Sequence, residues 1–190
     1  AMYIVKDRSV AGNYWITWHQ SFASLTQGYL VLNATSAYGT SVNAWNNVAP
    51  TSTTFSTPII NTGPQNSGSN MVAYCFAAIA GYSAFGSYIG NGSTDGPFVY
   101  CGFRPRFILI KRTDTVASWR IFDTSRDPTN VEGYELYPNL SNAESSFFAT
   151  LDGLSNGFKF RSNDVAWNAN GGTYIYASFA ENPFNYSLAR

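Results

Sequence analysis

Phe107-Ile108-Leu109-Ile110-Lys111 is a short apolar run closed by a lysine, and Met2-Tyr3-Ile4-Val5-Lys6 repeats it near the start of the chain. Both are rich in β-branched and aromatic residues, and polar segments bound them, which is the pattern of a strand. The match continues outward from this pair. Trp15-Ile16-Thr17-Trp18-His19 corresponds to Trp119-Arg120-Ile121-Phe122-Asp123. Gly28-Tyr29 corresponds to Gly133-Tyr134, and Asn33 with Ser36-Ala37 to Asn139 with Asn142-Ala143. Phe55 corresponds to Phe158. Ser67-Gly68-Ser69 through Phe76-Ala77 corresponds to Asn170-Gly171-Gly172 through Phe179-Ala180. The offset between matched blocks stays between 103 and 106 residues, with length changes only where loops are expected.

The rest of the chain reads the same way. Strands are expected at Tyr3–Lys6, Tyr14–His19, Tyr29–Asn33, Asn70–Ala78, Pro97–Gly102, Phe107–Lys111, Trp119–Asp123, Gly157–Arg161 and Thr173–Ala180, each bounded by Gly, Pro, Asn or Ser. No segment keeps a 3.6-residue apolar period with caps, so helix is limited to a turn or two, best placed at Asn139–Ser146. The expected fold is all-β: a β-sandwich of lectin-like jelly-roll character with an internal pseudo-two-fold duplication. The expected organisation is one domain over residues 1–190, with repeat 1 at about 2–81, a connector at 82–106 and repeat 2 at about 107–186. Each repeat is too small to bury much core alone, so the two are expected to share one. The connector carries Asn-Gly and Asp-Gly turn chemistry, which suits a hairpin.

The 190 residues include 11 Lys and Arg against 11 Asp and Glu, so the net charge is zero. From Ser9 to Thr94 there is no charged side chain apart from what His19 can take up. Such a chain lacks the basic excess of a nucleic-acid binder. With 17% aromatic residues it also lacks the composition of a disordered chain. No stretch has the roughly 18 consecutive apolar residues of a membrane span, and the start, AMYIVKDRS, has no secretory-type apolar region. Asn, Ser, Thr and Gly supply 71 residues, so neutral hydrogen-bonding groups must cover much of the surface. Such a surface suits burial in an oligomer or particle, or neutral hydroxyl-rich ligands.

Signals for chemistry are sparse. A histidine base has one candidate, His19, whose matched position is Asp123; a strand-end surface or capping role is the plainer reading. Two cysteines and one histidine without CxxC spacing do not make a zinc site. Cys75 and Cys101 are expected as free buried thiols, a disulfide being the alternative. Glycoside hydrolysis needs two facing carboxylates. The available ones, Asp95, Asp114, Asp123, Asp127, Glu132, Glu135, Glu144, Asp152, Asp164 and Glu181, fall mostly at turns. Asn91-Gly92-Ser93-Thr94-Asp95-Gly96 resembles the opening of a calcium loop but lacks the later bidentate Glu, and turn chemistry accounts for the same residues. Arg104, Arg106, Lys111, Arg112, Arg120 and Arg126 form a basic cluster, expected to pair with Asp114, Asp123 and Asp127 on a solvated face. The expectation is a non-enzymatic chain with no cofactor and no metal.

Ligand contact is expected from aromatic faces beside amide groups. Trp45 and Trp167 lie in polar loops, flanked by Asn43 and Asn46 in one case and Asn168 in the other, with Tyr38 as a further candidate. The plainer reading of each Trp is a staple closing a loop.

FGSYIGNGSTDGPFVYCGFRPRFILIKRTD, from Phe85 to Asp114, resembles a domain found in tail-fibre and tail-associated proteins of bacteriophages. So do GYLVLN at Gly28–Asn33, WNNVAPTST at Trp45–Thr53 and NGGTYIYASFAENPF at Asn170–Phe184. The resemblance implies a place in the extracellular, host-facing part of a virion tail and supplies no catalytic residues. The function expected on this footing is an adhesion module for host-surface polysaccharide, in contact with other virion tail proteins and as a possible homo-oligomer. It would act without nucleic acid or membrane insertion, through many weak sites. Alternatives are a structural or oligomerisation module and a glycan depolymerase.

Overall fold

The computed structural model describes residues 1–57 and 70–183, with side chains described at all of these but 147–149. The expected match at Ser67–Ser69 and the chain from Phe184 onward lie outside the described residues. The strands are β1 (Met2–Asp7), β2 (Ile16–His19), β3 (Gly28–Val31), β4 (Gly39–Thr40), β5 (Met71–Phe76), β6 (Ser83–Ile89), β7 (Phe98–Tyr100), β8 (Pro105–Arg112), β9 (Arg120–Asp123), β10 (Glu132–Glu135), β11 (Ser145–Leu154), β12 (Gly157–Phe160) and β13 (Thr173–Ala180). The described helix α1 spans Val165–Asn168 and is capped by the Asp164 carboxylate, which accepts from Ala166 N–H. The fold is all-β, and among the described residues its antiparallel sheets number three where a simple sandwich has two: β4-β3-β2-β1-β5, β6-β13-β8-β9 and β10-β11-β12-β7.

Side-chain alternation decides how these sheets stack. In β8, Leu109 points into one core with Met2, Ile4 and Phe85, while Ile108 and Ile110 point into a second core with Leu151, Phe158 and Phe160. In β13, Ile175 and Ala177 face the first core, and Tyr174 and Tyr176 the second. The β6-β13-β8-β9 sheet is therefore a middle layer, apolar on both faces, which is why FILI and TYIYA read as nearly continuous apolar runs.

The matched sequence blocks occupy matched places. Met2 lies between His19 and Phe76 in its sheet, and Phe107 lies between Asp123 and Phe179 in the other. Ile4 lies between Thr17 and Tyr74, and Leu109 between Ile121 and Ala177. Trp15 N–H donates to the Asn33 carboxamide at 2.9 Å, and Trp119 N–H to the Asn139 carboxamide at 2.9 Å. Lys6 and Lys111 each donate to the carbonyl of the next residue and to a carbonyl in the following loop.

Several expectations are corrected. Asn139–Ser146 forms no helical turn, because Ser145 and Ser146 pair with Glu135 and Tyr134 at the start of β11. The connector is no hairpin: β6 pairs with β13, and β7 pairs with β12 in another sheet. The Asn91–Asp95 turn joins two layers, so cross-layer pairing overrides local turn chemistry. His19 is fully buried between layers and not at the surface. Its Nδ1 accepts from Ser21 N–H at 3.1 Å, so the neutral ring carries its proton on Nε2 and donates to the Tyr176 carbonyl at 3.1 Å. Lys111 is also fully buried, its ammonium donating to the carbonyls of Thr35, Arg112 and Ala117. Burial lowers it to about 8. The Trp119 indole N–H donates to the Val31 carbonyl at 2.9 Å, tying the second half to the first.

Burial lowers the His19 pKa to about 4. Below its usual 6.5 the unfolded chain takes up a proton that the folded chain refuses until about pH 4, so this contribution to stability is full above 6.5 and shrinks as pH falls. Glu132, raised to about 8 by burial and then by Asp127, acts the other way: the unfolded chain releases its proton above about 4.5 while the folded chain keeps it. Comparing wild type with His19→Gln cancels the Glu132 contribution. The stability advantage of wild type over the variant is expected to shrink by roughly 2 kcal/mol between pH 6.5 and 4.5 in urea titrations.

Candidate functional site

Antiparallel order brings the end of β8, the start of β13 and the end of β6 to one edge of the middle sheet. Thr113, Asp114, Thr173 and Ser87 lie there beside Ile89, Tyr174 and Ile175. Ser21–Ala23 and Tyr38 approach from the neighbouring sheet, held by a Tyr38 N–H bond to the Thr113 carbonyl at 2.9 Å. Together they line a cleft of about 370 Å³, within the usual range for small-molecule sites.

Each wall is fixed by contacts. The Tyr38 hydroxyl accepts from Ser24 N–H at 3.0 Å, and its ring packs on Phe22 at 5.1 Å between centroids. Gly28 makes this possible, since a Cβ there would lie 2.6 Å from the Tyr38 hydroxyl. The Thr113 and Thr173 hydroxyls meet at 2.7 Å. Arg112 grips Asp114 through two bonds of 2.8 and 2.9 Å. Those bonds to the guanidinium hold the Asp114 pKa below the usual carboxylate value, so the carboxylate is an ionised acceptor at neutral pH. The cleft thus combines the Ser and Thr hydroxyls and one charge-balanced carboxylate with a larger apolar lining from Phe22, Tyr38, Tyr88, Ile89, Tyr174 and Ile175.

Of the six ligand candidates read from the sequence, only Tyr38 lines this cleft. Trp45 is 0% exposed; its indole N–H donates to the Gly28 carbonyl at 2.7 Å and its ring meets Tyr3 edge-on. Asn46 and Asn47 take left-handed backbone conformations, φ 54° at each, and this tight turn drops Trp45 into the core while Asn43 and Asn46 stay exposed. Trp167 is 1% exposed beneath the Arg120 guanidinium, whose other neighbours are the Tyr137 ring and the Glu135 carboxylate. Asn168 is 0% exposed, accepting from Asn91 N–H and donating to the Ser93 and Ser162 carbonyls. These two Trp and Asn168 are corrected from ligand contacts to packing and loop-holding residues. Ser87, Thr113, Asp114 and Thr173 escaped the sequence reading because only the sheet order places them together.

The remaining chemistry-bearing groups are engaged elsewhere. Asn91, Ser93 and Asp95 bond within their own turn, and the Asp95 carboxylate pairs with Lys159 at 2.7 Å. Cys75 and Cys101 are free; Cys101 is buried as expected, whereas Cys75 is exposed on β5. Arg112 and Arg126 pair with Asp114 and Asp123 as expected, but Asp127 accepts instead from Gly133 N–H at 2.7 Å and Thr129 at 2.8 Å. Glu132, Glu135 and Asp127 are buried, and the cleft itself has one carboxylate.

Fold and cleft together define an all-β protein with a solvent-open groove of mixed polar and apolar lining at one end of the middle sheet. The chain belongs to the family described as Domain of unknown function (DUF7483), which matches residues 1–183. No curated protein matches the chain, and no solved structure does.

Because Trp45 fills core space, Trp45→Ala is expected to destabilise the fold by about 3–5 kcal/mol, read from the urea midpoint at constant slope. A ligand-contact residue at the surface would cost far less.

Proposed function

We propose that the chain is a non-catalytic adhesion module of a bacteriophage tail that binds host-surface carbohydrate in the Tyr38–Asp114 cleft. The observation that carries this reading is the cleft's mixed lining: hydroxyls of Ser21, Ser87, Thr113 and Thr173 and the Asp114 carboxylate lie beside the rings of Phe22 and the half-buried Tyr38. Sugar hydroxyls pair with such neutral and charge-assisted acceptors, and C–H faces pack on the ring. A single carboxylate does not supply the two-carboxylate arrangement of glycoside hydrolysis, which favours binding over cleavage. One shallow cleft binds weakly, and many copies on a virion raise avidity without new contacts. The resemblance of Phe85–Asp114 to tail-associated domains supports the location. We propose further that β1, β2 and β5 and β8, β9 and β13 descend from one duplicated, lectin-like unit; their shared strand order and register support this.

A second reading, a homo-oligomerisation module, draws on β5. Ala73, Tyr74 and Cys75 are exposed, and among the described residues the outer edge of β5 pairs with no strand. Such an edge is a template for pairing with another chain.

Bead-displayed protein is expected to be retained on host capsule or lipopolysaccharide glycan. Ser87→Arg, which fills the cleft from an exposed position, is expected to reduce retention about tenfold or more, and Asp114→Asn several-fold. Circular dichroism should be unchanged in both. Retention of neutral glycan should vary little with salt, since few charges are screened. Absence of retention on every host glycan, with an oligomer in solution, would replace this reading with the second one.

A further inference from the structure

Between the β4-β3-β2-β1-β5 sheet and the middle sheet lies a second hollow, of about 430 Å³, with no polar side chain in its lining. Its walls are matched pairs from the two sequence blocks. Met2 faces it with Phe107, Ile4 with Leu109, and Phe76 with Phe179. Leu32 and Pro138, which immediately precede the matched Asn33 and Asn139, complete it toward one end. Leu32, Phe76, Phe107 and Phe179 are only half-buried, so the hollow communicates with solvent.

The shape selects the ligand. The lining runs from Phe76 on β5 past Met2 and Ile4 on β1 to Leu32, which follows β3, a reach of about three strand spacings or roughly 14 Å across the sheet. That length accepts a linear chain of about ten carbons. The volume of about 430 Å³ holds about fourteen methylene-sized groups at about 30 Å³ each, the share of a water in liquid. The phenyl rings at one end already meet one another edge-on, Phe76 with Phe179 at 5.9 Å and Phe85 with Phe179 at 5.9 Å, and branched aliphatics line the other end. With no donor or acceptor on the walls, a polar ligand would lose its water for nothing, whereas an apolar chain gains burial and close contact. The geometry points to a binding slot for a single medium-length alkyl chain, taken up between the two sheets. This slot is separate from the carbohydrate cleft: their linings share no residue.

Isothermal titration with 1-decanol presents the chain free, and short-chain phosphatidylcholine below its micelle concentration presents it on a headgroup. One-to-one saturable binding of 1-decanol is expected. Binding of the phospholipid as well would show that an anchored chain also enters, and its exclusion would show that only a free chain does. Ala177→Leu, which fills the slot from the floor, and Leu32→Trp, which fills it from the half-buried end, are each expected to weaken decanol binding about tenfold or more. If Ala177→Leu does not fold, Leu32→Trp carries the comparison. Ser87→Arg in the other cleft should leave decanol binding unchanged. The proposal is overturned if wild type binds neither probe saturably, or if folded slot variants bind decanol as wild type does.

Discussion

A β-sheet whose two faces are both apolar must be covered twice, and the middle sheet of this protein sets that demand. Along β8 the side chains of Ile108 and Ile110 and that of Leu109 enter different cores. A one-residue slip of β8 against β13 would exchange the two sets and turn Lys111 into the wrong core. The outer sheets exist because these faces must be removed from water. Phe158 and Phe160 of β12 cover one side; Met2 and Ile4 of β1 cover the other.

Burying so much of the chain draws polar groups inside, and several are accommodated where they fall. His19 bridges layers as a neutral ring. Lys111 keeps three carbonyl partners for its three donors. Asp127 satisfies backbone donors of the β10 bend. Glu132, with one oxygen that has no hydrogen-bond partner, has its pKa raised to about 8 by burial. Exposed polar groups such as Asp114 and Thr173 lie at strand ends, where the layers stop and loops begin. The Tyr38–Asp114 cleft lies at such an edge.

The strands were readable because alternation and turn residues are local. Met2–Asp7, Arg120–Asp123 and Thr173–Ala180 stand where the residues predict them, within a residue or two. The residues do not predict strands β4, β10 and β11. Glu132-Gly133-Tyr134-Glu135 lacks a strand composition and is held by its neighbours. The candidate site was much less legible. Trp45 sits in a string of Asn and Ser that looks like surface, yet the left-handed pair Asn46-Asn47 turns the indole inward. Asn168 looked like a donor for sugar and instead holds the turn at Asn91 and Ser93, 75 residues or more away in sequence.

The residues by themselves determined an all-β chain, the two matched blocks, and an exterior short of charge, since each follows from composition and short-range periodicity. Only folding decided that there are three sheets, that β6 and β7 part company, and that Ser87, Thr113, Asp114 and Thr173 share one cleft. Those outcomes depend on pairings between strands distant in sequence, and the free energy of covering both faces of the middle sheet selects them.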